Sequence, residues 1–175
     1  MLPSAFSPRL SAREARILCL ALRALWTDRA FRSMGRYLQH GGTSCLLHSI
    51  AVAYYSLLLM RVLHIPHDAR SLARGALLHD YFLYDWHTEH PVAGFHRITH
   101  PRTALRNARR AFPITPLEAD IIRRHMFPLT LTPPRYRESA VVCLVDKACS
   151  LCETLRRDPY SRGVRRFERR LARPK

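Results

Sequence analysis

From Gly41 to Met60 the chain runs twenty residues without a formal charge. A segment this apolar is either covered on all sides by the rest of a fold or spans a bilayer, for which about 20 residues suffice. Its polar content chooses between the two. Thr43, Ser44, His48, Ser49 and Ser56 lie within it and two glycines open it, and polar side chains inside a lone span are costly. The reading is a buried central helix that carries a histidine, with no membrane span.

Punctuation residues divide the remainder into further helices. Ser11 followed by Glu14 reads as a capping box for a first helix through about Asp28. The Gly41-Gly42-Thr43-Ser44 turn opens the apolar helix, which ends before Pro66. Asp68 caps a helix through Leu72, Leu77 and Leu78 to His79-Asp80. Pro101 is expected at the first position of a helix through Leu105 to Ala111. Thr115-Pro116-Leu117-Glu118 is the clearest start signal: a cap, a proline in the first turn and a glutamate that closes the box. That helix runs through Ile121 and Ile122 to His125. A last long helix is expected from about Arg135 past Asp146 to Leu155. No stretch sustains strand alternation, so the class is all-α, a compact bundle of about six to eight helices. A length of 175 residues suits a single domain, with residues 41–155 as its core and 156–175 as a basic C-terminal helix or tail.

Twenty-nine basic against thirteen acidic residues give a formal charge of +16. Such a balance favours an anionic partner: a nucleotide, a nucleic acid or an anionic surface. Only Lys147 and Lys175 are lysines, and an arginine skew of that kind also follows from GC-rich coding. Five cysteines, an odd number in apolar runs, do not form a disulfide framework. With no export signal evident after Arg16, the expected location is the cytoplasm.

The chemistry concentrates in six side chains at structured positions. His48 lies within the apolar helix, His79 and Asp80 end another, His100 stands just before Pro101, His125 ends a fourth, and Asp146 interrupts the apolar run from Val141 to Leu151. A lone core histidine is usually hydrogen-bonded and inert. A buried carboxylate is harder to dismiss, because an unpaired charge in a core costs several kcal/mol. A divalent cation would compensate Asp80 and Asp146 together.

The order His48, His79-Asp80, His100, His125, Asp146 resembles the HD-domain superfamily of metal-dependent phosphohydrolases, over about residues 41–155. Leu77-Leu78-His79-Asp80 and Val145-Asp146-Lys147 resemble the family's surroundings of its paired and final ligands. The resemblance implies a first metal held by His48, His79, Asp80 and Asp146. It implies a second held by His100 and His125, with Asp80 as bridge. A water or hydroxide between the ions would attack a phosphomonoester or phosphodiester, the implied substrate being a nucleotide or similar phosphorylated small molecule. Manganese or iron fits a mixed histidine and aspartate set better than magnesium alone, with cobalt and nickel as further candidates. Asp80 and Lys147 are the expected catalytic residues, Lys147 through contact with a substrate phosphate. Two departures narrow the substrate. Leu83 stands where members that cleave dinucleoside polyphosphates carry a lysine, and the Gly-Tyr-Pro signature of the cyclic-dinucleotide branch is absent.

Other features carry weaker readings. Arg102, Arg123 and Arg124 flank the ligands and are candidates for phosphate binding. Tyr84 to Thr99 reads as a loop whose first part, Tyr84 to His90, either lines the substrate mouth, with His87 or Glu89 as a proton donor, or is a polar surface loop with Trp86 packed inward. Cys149 and Cys152 are expected to face the core. Arg165, Arg166, Arg169 and Arg170, interleaved with Phe167 and Leu171, read as a basic amphipathic helix. Through it a catalytically silent scaffold would bind RNA or anionic lipid.

Overall fold

A computed structural model describes residues 9–84, 96–156 and 158–171. The described residues form eight α-helices and one two-stranded hairpin, so the chain is a helical bundle. The apolar segment becomes α3 (Cys45–Val62), and 14 of its 18 residues are buried. It has no polar face because neighbours cover it all round: α1 (Ala12–Trp26), α4 (Ala69–Leu78), α7 (Arg137–Leu155) and α8 (Arg162–Leu171) all pack on it. By length and composition α3 would also cross a bilayer, and here the bundle takes that place.

The predicted caps form. Ser11 Oγ accepts from the Glu14 amide while Glu14 reaches back to the Ser11 amide. Thr115 and Glu118 do the same for α6 (Pro116–Arg124). Asp68 accepts from the Arg70 and Ser71 amides and starts α4. Each such cap satisfies amides that the first helical turn leaves without partners, worth about 1 kcal/mol. Their positions matter for function, because α4 and α6 end directly at His79 and His125.

Three expectations on local structure are corrected. Pro101 does not start its helix: α5 runs His96–Ala111 with Pro101 inside it. A proline in the second turn lacks the N–H for the bond to the carbonyl four residues back and its ring crowds that carbonyl, so α5 carries Pro101 at a cost. The Gly41-Gly42 turn belongs to a hairpin, β1 (Leu38–His40) paired antiparallel with β2 (Thr43–Ser44). Strands this short leave no alternation to read. A further short helix, α2 (Arg29–Ser33), follows the first, capped by Asp28. The basic C-terminal piece is a docked helix through Leu171, not a frayed tail. Val164 and Phe167 of α8 are buried, with the Phe167 ring edge-on to Tyr54 at 6.0 Å.

Two glycines set distances that the site depends on. At Gly41 φ is +56°, and a Cβ there would stand 2.7 Å from the Glu153 carbonyl, so the hairpin seats directly on α7. At Gly75 a Cβ would meet Ile121 Cδ1 at 2.7 Å and Cβ at 3.0 Å. The bare α4 backbone therefore lets α6 approach closely, which brings His79 and His125 together. Gly75→Ala is expected to lower stability by about 1–3 kcal/mol through overpacking. It should also weaken metal binding at the end of the same helix. Thermal denaturation and metal titration of the variant check both; unchanged stability would contradict the packing account.

Candidate metal centre

His48 sits on the first turn of α3, which Ser44 caps, and is fully buried. His79 and His125 occupy equivalent places, the C-cap positions of α4 and α6. They also share a device. His79 Nδ1 lies 2.7 Å from the Ala76 carbonyl and His125 Nδ1 lies 2.9 Å from the Ile122 carbonyl, each three residues back. A carbonyl only accepts, so each Nδ1 carries the proton and each Nε2 is left with a lone pair. Asp80 follows in the turn after α4, His100 comes from α5, and Asp146 from the middle of α7. All six side chains are buried.

They converge on one point. Asp80 stands at the middle with its two oxygens facing opposite ways. Oδ2 lies 3.3 Å from His79 Nε2 and 3.8 Å from His48 Nε2. Oδ1 lies 3.3 Å from His100 Nε2 and 3.5 Å from His125 Nε2. Asp146 Oδ1 closes the first set at 3.0 Å from His48 Nε2 and 3.5 Å from His79 Nε2. The nitrogens of His100 and His125 close the second at 2.8 Å.

The donor set fits a divalent cation. Ligand atoms about 2.1 Å from one ion stand about 3.0 Å apart at right angles and about 3.4 Å apart at a tetrahedral angle. The separations above cover that range. His48, His79 and Asp146 form one group able to hold an ion, and His79, Asp80 and His125 another. Two of the atoms involved, His79 Nε2 and Asp80 Oδ1, are buried with no hydrogen-bond partner among the described residues. Orphaned buried polar atoms of this kind need a compensating ligand.

Electrostatics follow the same partition. Burial pulls the His48 imidazole down, but hydrogen bonds to Asp146 and Glu153 overcome it and raise the pKa to about 9. His79 is likewise raised, against burial, by the Asp80 and Asp146 carboxylates. Burial opposes ionisation of Asp80 and Asp146, and the histidines reverse it and hold both carboxyls well below the usual range. His125 goes the other way, to about 3, because burial and the positive charge of His79 and His100 oppose its protonation. Without a metal the cluster is thus held together by protons on His48 and His79. A cation would replace them.

Several contacts escape sequence reasoning. Gln39 Nε2 donates to Asp80 Oδ2, and Cys45 Sγ donates to the Asp80 carbonyl at 3.4 Å. The Gln39 contact depends on the unforeseen hairpin, while Cys45 is the first residue of α3. Glu153 accepts from His48 Nδ1 at 2.9 and 3.0 Å. A signal for it existed: Glu153 lies seven residues after Asp146, two turns on along the same face of an apolar helix. The Tyr84 hydroxyl is pushed up to about 12 by burial and the charge of Asp80.

Other expectations are corrected. Lys147 is not paired with a carboxylate among the described residues. Its ammonium donates to the His125 carbonyl at 2.7 Å and the Cys143 carbonyl at 3.2 Å. It completes the carbonyl end of α6 and positions His125, as a cation at a helix C-terminus does. Arg124 is engaged by Asp120 at 2.7 Å. Arg102 and Arg123 are exposed. Each lies two residues from a buried ligand, about 200° round its helix and on the side away from the cluster. Cys149 faces the core but Cys152 is exposed at the rim of an apolar groove, and all five cysteines are free thiols. Trp86, His87, Glu89 and His90 lie outside the described residues.

Compared with protein families, curated proteins and solved structures, the chain finds no match in any of the three.

Proposed function

We propose that the chain is a metal-dependent phosphohydrolase of HD type, acting on a nucleotide or similar phosphorylated small molecule in the cytoplasm. One observation carries the reading: Asp80 presents one oxygen to His48 and His79 and the other to His100 and His125. A single carboxylate between two histidine sets is the arrangement a bridging ligand requires. Bound there, divalent ions supply an activated water at neutral pH and Lewis acidity for a phosphoryl oxygen.

The chain's own residues prepare that chemistry. The Ala76 and Ile122 carbonyls hold His79 and His125 with Nε2 turned inward. Gln39 orients the Asp80 carboxylate from the hairpin side. Lys147 fixes the turn that bears His125. The excess of positive charge raises the local concentration of anionic substrates. The mixed nitrogen and oxygen donors suit manganese or iron. Protein reconstituted with manganese or iron is expected to retain one or two ions per chain and to hydrolyse members of a nucleotide and phosphoester panel. Retention without hydrolysis of any phosphoester would remove the catalytic reading and leave only the metal site.

A further inference from the structure

Resting on the metal reading, we propose that Glu153 and Tyr160 form a positioning relay behind His48, fixing the tautomer through which His48 holds the ion. Neither residue belongs to the ligand set. Glu153 is buried two turns beyond Asp146 on α7, and both its oxygens lie within 3.0 Å of His48 Nδ1. Tyr160, buried in the segment between α7 and α8, donates its hydroxyl to Glu153 Oε1.

The reasoning is one of proton placement. A neutral imidazole has one N–H and one lone pair. A carboxylate only accepts, so Glu153 compels the proton onto Nδ1. The lone pair is then on Nε2, the atom that faces Asp146 at 3.0 Å and Asp80 at 3.8 Å. His79 and His125 obtain the same result from helix carbonyls three residues back. His48 lies in the first turn of α3 and meets Glu153 instead. A charged acceptor also makes the imidazole a better donor to a metal than a carbonyl does. The Tyr160 hydroxyl holds Glu153 in place from the far side. Gly41 lets the hairpin backbone seat against the Glu153 carbonyl.

The test compares chelator-stripped wild type with Glu153→Gln and Tyr160→Phe. Each is titrated with manganese against a chromophoric chelator. Glutamine keeps the shape but can present its NH2 to Nδ1, which favours the wrong tautomer. Glu153→Gln is expected to lose about 10–100-fold in metal affinity. Tyr160→Phe should lose less, in the same direction. In zinc-loaded wild type, imidazole nitrogen NMR should show His48 protonated at Nδ1. Should Glu153→Gln fail to fold, Tyr160→Phe and the tautomer assignment decide. Wild-type affinity in both variants overturns the relay and leaves the metal reading intact, whereas a His48 proton on Nε2 in the loaded wild type overturns the relay and removes His48 Nε2 from the ligand set. Wild type that binds no manganese overturns the metal reading itself, and the relay with it.

Discussion

Asp80→Asn is expected to abolish tight metal binding and to reduce phosphoester hydrolysis on the order of 1,000-fold or more. The substitution changes little in size, and Gln39 and the Asp80 backbone contacts stay in reach. What it removes is the one charge between four histidines. An amide offers a single weak oxygen ligand and cannot bridge, so at least one histidine set loses its anion. Metal Lewis acidity contributes several kcal/mol of transition-state stabilisation, and each 1.4 kcal/mol is tenfold in rate. Without metal the Asn variant also loses the pairing of Asp80 with His79 and should be less stable than wild type, so its folding is verified before its metal content is read. Wild-type metal content in Asp80→Asn, measured by elemental analysis beside circular dichroism, would contradict the bridging role. His48→Ala, by contrast, should spare the ligand group around His100 and His125.

The second large effect is on pH. In the metal-free protein His48 titrates at about 9 and His79 is also raised. Both are protonated at neutral pH, so an ion entering the first group must displace two protons. Affinity should then fall by at least tenfold for each unit by which the pH drops below about 9, and more steeply where the His79 proton must be displaced as well. The same shifts fix the stability of the stripped protein, with the signs opposed. His48 has a raised folded pKa, so its contribution is present below its ordinary value of 6.5 and is lost as pH rises through about 9. Asp80 and Asp146 are depressed, so theirs is present above 3.8 and lost as pH falls below it. Stripped protein should therefore lose stability as pH rises from about 6.5 to about 9, the same range over which metal affinity rises. A pH-independent metal affinity between 6 and 8 would show that His48 and His79 do not bear those protons.

The helices were legible because their signals are local. The capping boxes at Ser11 and Thr115 and the cap at Asp68 each involve residues no more than three apart. The uncharged run of α3 needs no partner to be recognised as buried. The six ligands were legible for a related reason: a charge or imidazole inside an apolar helix is anomalous wherever its partners lie. What the residues could not disclose is tertiary. The hairpin that delivers Gln39 has strands of three and two residues. The role of Lys147 depends on where the α6 carbonyls point, which no spacing along α7 indicates. The spacing of Glu153 from Asp146 places it on the ligand face of α7, but not against His48, 105 residues away. Pro101 is a good N-terminal residue, yet α5 begins five residues before it.

Anomalous diffraction at the manganese or iron edge, from crystals of reconstituted protein, tests the central claim most directly. One peak is expected among His48 Nε2, His79 Nε2, Asp80 Oδ2 and Asp146 Oδ1. A second is expected, if the centre is dinuclear, among Asp80 Oδ1, His100 Nε2 and His125 Nε2. An empty cluster in which His48 remains bonded to Asp146 would contradict it.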